Sequence, residues 1–210
     1  MSKISIGINL ILSKLGSSSA QFALGYTYYE GDGVSQDYAK AMKWYRMVAE
    51  KGDFLAQLFV GLMYYEGQGV EQDYTEAAKW IRKAAAQGIS DAQYLLGLMY
   101  YEGQGVEQDY TEAAKWIRKA AARGISDAQC FLGLMYYEGQ GVEQDYTEAA
   151  KLWRLAAEQG LAEAKYHLGV IYYNGQGVER NPEKAKSWFR LSAAKGNEDA
   201  IKALAELFPS

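Results

Sequence analysis

A chain with one histidine and one cysteine offers little to a catalyst. His167 is the only imidazole available as a general base near neutral pH. It stands where an earlier copy of the same segment has Leu95, and so reads as a partly buried structural histidine. No Ser-His-Asp set follows from the sequence. Cys130 has no second cysteine to pair with or to resolve a redox cycle. It occupies the position of Tyr94 one copy earlier, and reads as a small hydrophobe or an idle thiol. The Gly-Gln-Gly-Val turns have the glycines of a phosphate loop, but no strand precedes them and no Lys-Ser/Thr follows. Asp32, in Glu30-Gly31-Asp32-Gly33, lacks the alternating acids of a calcium loop. No catalytic residue, metal ligand or cofactor is expected. The chemistry left is recognition, by rows of tyrosine and leucine with acids beside them, since aromatic residues anchor interfaces.

Those rows exist because the chain repeats. Ala20, Ala56, Ala92, Ala128, Ala164 and Ala200 fall 36 positions apart, and Leu62–Ala86 recurs letter for letter as Leu98–Ala122. Its first part recurs again over Leu134–Lys151. A period of this size marks a stack of small supersecondary units. Copies this alike share one role, and a catalytic residue is usually unique in its chain. No linker or composition shift interrupts the period, so one continuous array is expected: repeats 16–51, 52–87, 88–123, 124–159 and 160–195 between terminal segments 1–15 and 196–210. With 49% hydrophobic residues such a chain can bury a core. A net charge of −4 with no basic run argues against nucleic acid and membrane surfaces. No apolar run reaches the ~20 residues that a membrane span needs.

The repeat at Ser90–Gly124 shows how the elements arise. Ser90-Asp91-Ala92-Gln93 has the form of a capping box opening a first helix. In that helix Ala92, Leu96, Met99 and Tyr100 share one side, and Tyr94, Leu98 and Tyr101 another. Gly97 lies between them and recurs as Gly25, Gly61, Gly133 and Gly169. Glycine inside a helix costs about 0.5–1 kcal/mol relative to alanine, so close approach of a neighbouring helix is expected there. Gly103 and Gly105 then permit a tight reversal. Asp109 caps a second helix, a position filled in the fifth copy by Asn181 ahead of Pro182. This helix buries Ala113, Trp116, Ile117 and Ala120, turns Glu112, Lys115 and Lys119 to water, and ends at Gly124. In the fourth copy the tryptophan is displaced by one place, to Trp153.

Two short amphipathic helices cannot bury their apolar faces alone, so copies must stack and the ends must be shielded. At the N-terminus Ile8, Ile11, Leu12 and Leu15 form a helical stripe expected to pack under the first repeat as a cap. The rival reading takes Lys3 and the apolar run Ile4–Leu12 as a secretory signal; Asn9 and Lys14 interrupt that pattern. Ala200–Leu207 forms the closing helix, and Pro209 bars its extension.

The pattern Ala-x3-Leu-Gly-x2-Tyr-x2-Gly-x-Gly-Val-x2-Asp-x3-Ala-x2-Trp, closed by Ala-Ala-x2-Gly, resembles the Sel1-like repeat, a relative of the tetratricopeptide repeat. The resemblance runs from Gly16 to about Leu207. It implies an all-α, right-handed α/α superhelical solenoid of about five helix-turn-helix repeats with a capping helix at each end. It also implies a non-enzymatic scaffold that binds a partner protein or peptide along its concave face. By the tetratricopeptide correspondence, that groove is lined by the inner face of the first helices. These positions are Phe22, Tyr26 and Tyr29; Leu58, Leu62 and Tyr65; Tyr94, Leu98 and Tyr101; Cys130, Leu134 and Tyr137; Tyr166, Val170 and Tyr173. Glu66, Glu102 and Glu138 give the groove an acidic edge suited to a basic or amphipathic peptide. The same rings could instead pack between neighbouring first helices, and the two readings stand side by side. Bacterial relatives in the envelope or at host contacts suggest a secreted or periplasmic factor as an alternative to a cytoplasmic one. A cysteine-rich branch associated with weak β-lactam binding suggests a weak hydrolase, from which this chain departs by having Cys130 alone. A monomer without bound cofactor or inserted membrane segment is expected.

Overall fold

Asp37, Asp73, Asp109, Asp145 and Asn181 each cap a helix, as their spacing predicts. Asp109 Oδ1 accepts from the backbone N–H groups of Thr111 and Glu112 at 2.9 and 3.0 Å, donors that otherwise have no partner in the first turn. Asp109→Ala should therefore lower unfolding free energy by about 1 kcal/mol, read from urea titration, because the lost acceptor leaves those N–H groups to water.

The computed structural model describes residues 3–209. Met1, Ser2 and Ser210, assigned by sequence to the terminal segments, lie outside the described residues, as do the side chains of Lys3 and Ile4. The described residues form α1 (Lys3–Lys14), α2 (Ser18–Glu30), α3 (Tyr38–Ala49), α4 (Phe54–Glu66), α5 (Tyr74–Ala86) and α6 (Ser90–Glu102). These are followed by α7 (Tyr110–Ala122), α8 (Ser126–Glu138), α9 (Tyr146–Glu158), α10 (Ala162–Asn174), α11 (Pro182–Ala193) and α12 (Glu198–Leu207). The fold is all-α, with 36-residue helix pairs stacked in a solenoid-like repeat. Two compact units divide the chain, one ending at Gln108 and the other beginning at Asp109. Within each unit successive helices pack in chain order: α1 on α2 through to α5 on α6 in the first, and α7 on α8 through to α11 on α12 in the second.

Close approach explains the helical glycines. A Cβ on Gly133 would stand 2.7 Å from Trp153 Nε1, where the buried ring fills the space between α8 and α9. On the same logic Ala92, Leu96 and Met99 are fully buried, whereas Tyr100 is half-buried with its hydroxyl accepting from Arg82 at 2.7 Å. In the second helices Ala113, Ile117 and Ala120 are buried, but Trp116 is only half-buried, with Lys119 Nζ 3.9 Å above its ring.

The turns lock one repeat onto the previous one. Gly67 and Gly69 take φ of 72° and 71°, and the Gln72 amide donates to the Tyr65 carbonyl at 2.8 Å to close the loop. Gly69 rests against the backbone of Tyr38 at the start of α3, too close for any side chain.

Two expectations are corrected. The capping box at Ser90–Gln93 does not form: Ile89 is the N-cap and makes no side-chain cap, while the Gln93 amide donates to Ala85 of the preceding helix at 3.1 Å. The cap belongs one residue earlier, where Ser17, Asp53 and Asn197 stand in other copies and each accepts a backbone N–H. Gln93 is instead buried, as are Gln21, Gln57 and Gln129, and each amide holds the end of the helix before it.

The α1 stripe is the second correction. Ile8, Ile11, Leu12 and Leu15 face outward at 52, 64, 41 and 78% exposure, whereas Ile6 and Ser13 are buried. Ser13 is small enough to let α2 approach, and its carbonyl accepts from buried Gln21 at 3.1 Å. Ile6 and Ser13 stand one period before Met42 and Ala49, which are also buried, so the register was legible but the buried face was not.

Candidate functional site

The candidate surface is the face of the first helices that is left after pairing within each repeat. In the first unit these helices are α2, α4 and α6. Tyr26 is exposed, Phe22, Tyr29, Leu62, Tyr65, Tyr94, Leu98 and Tyr101 are half-buried, and Leu58 is buried. In the second unit Leu134, Tyr137, Tyr166, Val170 and Tyr173 are half-buried. Cys130, placed in the groove by sequence, is buried instead. Leu58 and Cys130 are therefore withdrawn from the surface, since both side chains are buried.

The tyrosines have packing duties as well as an open edge. The Tyr65 hydroxyl donates to Gln104 in the next repeat's turn at 2.7 Å, and its ring meets Tyr74 edge-on with centroids 5.1 Å apart. Tyr137 repeats the arrangement, donating to Gln176 at 2.9 Å and meeting Tyr146 at 5.1 Å. Tyr29 lies edge-on to Tyr38 and Phe59, at 5.3 and 5.8 Å. Burial raises the phenol pKa of Tyr29, Tyr65 and Tyr166 above the ordinary value. Each ring is thus held rigid by its neighbours while part of it stays accessible. Glu66, Glu102 and Glu138 beside these rows are exposed.

In the second unit the row opens into a cavity of about 440 Å³ between α10 and α12. Tyr166, Val170, Tyr173 and Phe189 form its apolar wall, and Asp199, Lys202 and Glu206 its charged edge. The charged groups come from α12, which the sequence identified only as a terminal shield.

The structure also joins residues that sequence reasoning left apart. Cys130 on α8 and His167 on α10 lie in one cluster with Glu163, their ligand atoms all within 4.8 Å of one another. His167 is 18% exposed and stacks on Trp153, with centroids 4.6 Å apart and planes 14° from parallel. The signal was present in the numbering: Cys130 and His167 stand 108 positions, or three repeats of 36, after Phe22 and Phe59.

None of the described helices is long and apolar enough to cross a membrane. No curated protein sequence matches the chain. Among solved structures, a protective antigen present in uropathogenic Escherichia coli strains is 40% identical over 96% of this chain, with a TM-score of 0.92. The chain spans 43% of that protein's length. A Sel1 repeat protein from Oxalobacter formigenes is 38% identical over 93% of this chain and 80% of its own, with a TM-score of 0.81. An immunity protein from Pseudomonas aeruginosa, 24% identical over 92% of this chain and 71% of its own, shares the fold at a TM-score of 0.52. The helix pairs, turn glycines and capping residues described above coincide with Sel1 repeats matched at 18–53, 55–89, 90–125, 126–161 and 162–197, and the chain belongs to the Sel1 repeat family.

Proposed function

We propose that the protein is a non-enzymatic scaffold whose first-helix faces bind an extended segment of a partner protein. The observation that carries this reading is the cavity at Tyr166, Val170 and Tyr173, an apolar hollow in line with the tyrosine row and rimmed by Asp199, Lys202 and Glu206. Sites for partner side chains combine an apolar wall with a few polar groups that fix orientation. Rigid rings favour binding because little conformational freedom is lost when a partner docks against them. The exposed Glu66, Glu102 and Glu138 suit a segment carrying both apolar and basic residues.

Selection of a random peptide library on the full chain tests the proposal. Peptides combining apolar and basic residues should be enriched. Ala203→Trp, which fills the cavity from α12, should weaken the selected peptides at least about tenfold, or 1.4 kcal/mol, with helicity and melting unchanged. Glu138→Lys should weaken them further as salt is lowered, since exposed charges are less screened there. Failure to select any peptide, or selected peptides that bind both variants like the parent, would refute the reading. Alanine at Tyr65 or Tyr137 is a poorer test, because each also ties one repeat to the next.

A further inference from the structure

Three departures from the repeat meet at one point. In the first two copies Phe22, Tyr45 and Phe59 form an aromatic cluster in which Tyr45 stacks on Phe59 at 4.7 Å and 13°. Three repeats later the same positions hold Cys130, Trp153 and His167, and Trp153 stacks on His167 at 4.6 Å and 14°. The packing geometry is retained while two of the three side chains become metal-ligating types. They are the only cysteine and the only histidine of the chain. A third donor joins them: Glu163, one helical turn before His167, in a slot that holds Leu55 in the second copy and the acids Asp91 and Asp127 in the third and fourth.

We propose that Cys130, Glu163 and His167 bind a zinc-class divalent cation that clamps α8 to α10. Thiolate, imidazole and carboxylate form a ligand set typical of zinc, and three protein ligands leave a fourth position for water. Their donor atoms already lie within 4.8 Å of one another, with His167 Nε2 3.8 Å from Glu163 Oε1. Zinc–ligand bonds of about 2.0–2.3 Å in a tetrahedral site require donors separated by roughly 3.3–3.8 Å. The imidazole–carboxylate pair therefore stands near its required spacing, and the remaining adjustment falls to Glu163, whose side chain is 65% exposed and free to swing.

The surroundings favour the same assignment. A metal binds imidazole in the ring plane, so the Trp153 stack on the ring face orients His167 without competing for its nitrogens. The Trp153 Nε1–H donates to the Cys130 carbonyl at 3.0 Å, so one buried side chain positions two ligands. Support of this kind, outside the ligands themselves, is common in metal sites. Burial pushes the Cys130 thiol pKa up to about 12, and the negative charges of Glu163 and Asp127 add to the effect. Coordination must therefore displace the thiol proton to solvent as the S–metal bond forms.

Cobalt(II) titration of the full chain, reduced and metal-free, provides the test. One Co²⁺ per chain should bind with a thiolate-to-cobalt charge-transfer band in the near ultraviolet, and stoichiometric Zn²⁺ should abolish that band. His167→Phe recreates the aromatic pair of the first repeats, so it should keep helicity and melting while losing the band. Cys130→Ser should lose it too, and Glu163→Gln should shift half-saturation to higher cobalt. Absence of a thiolate band at saturating cobalt, or its retention in folded His167→Phe, would overturn the proposal.

Discussion

Replacing Trp153 with alanine should remove about 3–5 kcal/mol of unfolding free energy, the largest loss expected from any single truncation in this chain. The indole is 1% exposed and heads the large buried side chains of the molecule. Its ring occupies the space that Gly133 leaves open, stacks on His167 and approaches Tyr137 to 5.5 Å. Truncation removes the transfer free energy of the indole and leaves a cavity between helices whose backbones cannot collapse onto it. It also strips the Cys130 carbonyl of its 3.0 Å donor. Trp153→Phe separates these contributions: the ring volume largely remains, so the loss should fall to about 1–3 kcal/mol, made up of the missing hydrogen bond and residual space. Trp188→Ala, at a half-buried position, should cost less than Trp153→Ala. Urea titration followed by far-ultraviolet circular dichroism measures all three, and equal losses at Trp153 and Trp188 would contradict this account.

The second large effect is expected at a turn. Gly177→Ala should destabilise the protein by about 3 kcal/mol, whereas Gly160→Ala should cost only about 1–2 kcal/mol. Both glycines have positive φ, 67° and 100°, so both substitutions carry the left-handed backbone penalty. They differ in their surroundings. Nothing lies within 4 Å of a Cβ added at Gly160, but at Gly177 it would stand 2.5 Å from the Tyr146 carbonyl carbon and 2.6 Å from the Thr147 nitrogen. Those atoms open α9 in the preceding repeat and cannot rotate away as a side chain would. Relief requires the turn to lift off its neighbour, weakening the Thr147 hydroxyl contact to the Gly177 carbonyl at 3.4 Å. Thermal melts of the two variants decide the matter, and similar midpoints would show that the turn is not clamped between repeats.

The local chemistry of the repeat was legible from residue types. Asp109 and Asn181 marked helix starts because a short side-chain acceptor before an apolar periodic run satisfies first-turn N–H groups. Gly103 marked a helix end because few other residues adopt positive φ at low cost. Gly133 implied a close neighbour because nothing local compensates the cost of glycine within a helix. The pattern misleads where a helix buries its less apolar face. On α1 the stripe from Ile8 to Leu15 is more hydrophobic than the face carrying Ile6 and Ser13, yet the smaller face is buried because a serine lets the α2 backbone approach. At Ser90 the residue types suggest a capping box, yet the N-cap is Ile89, because Gln93 has a better partner in the Ala85 carbonyl.

The sequence by itself determined the helix pairs, their caps and turns, and the need for copies to stack, because all of these follow from interactions spanning a few residues and repeated at a constant period. Tertiary structure alone decided which apolar faces close against neighbours. It showed Leu58 and Cys130 inside, Tyr26 outside, and Tyr65 and Tyr137 shared between packing and an open edge. It also brought Cys130, Glu163 and His167 together. Their meeting depends on α8 and α10 lying side by side around Trp153, a contact between residues far apart in the chain, whereas local periodicity records only which residues share a helix face.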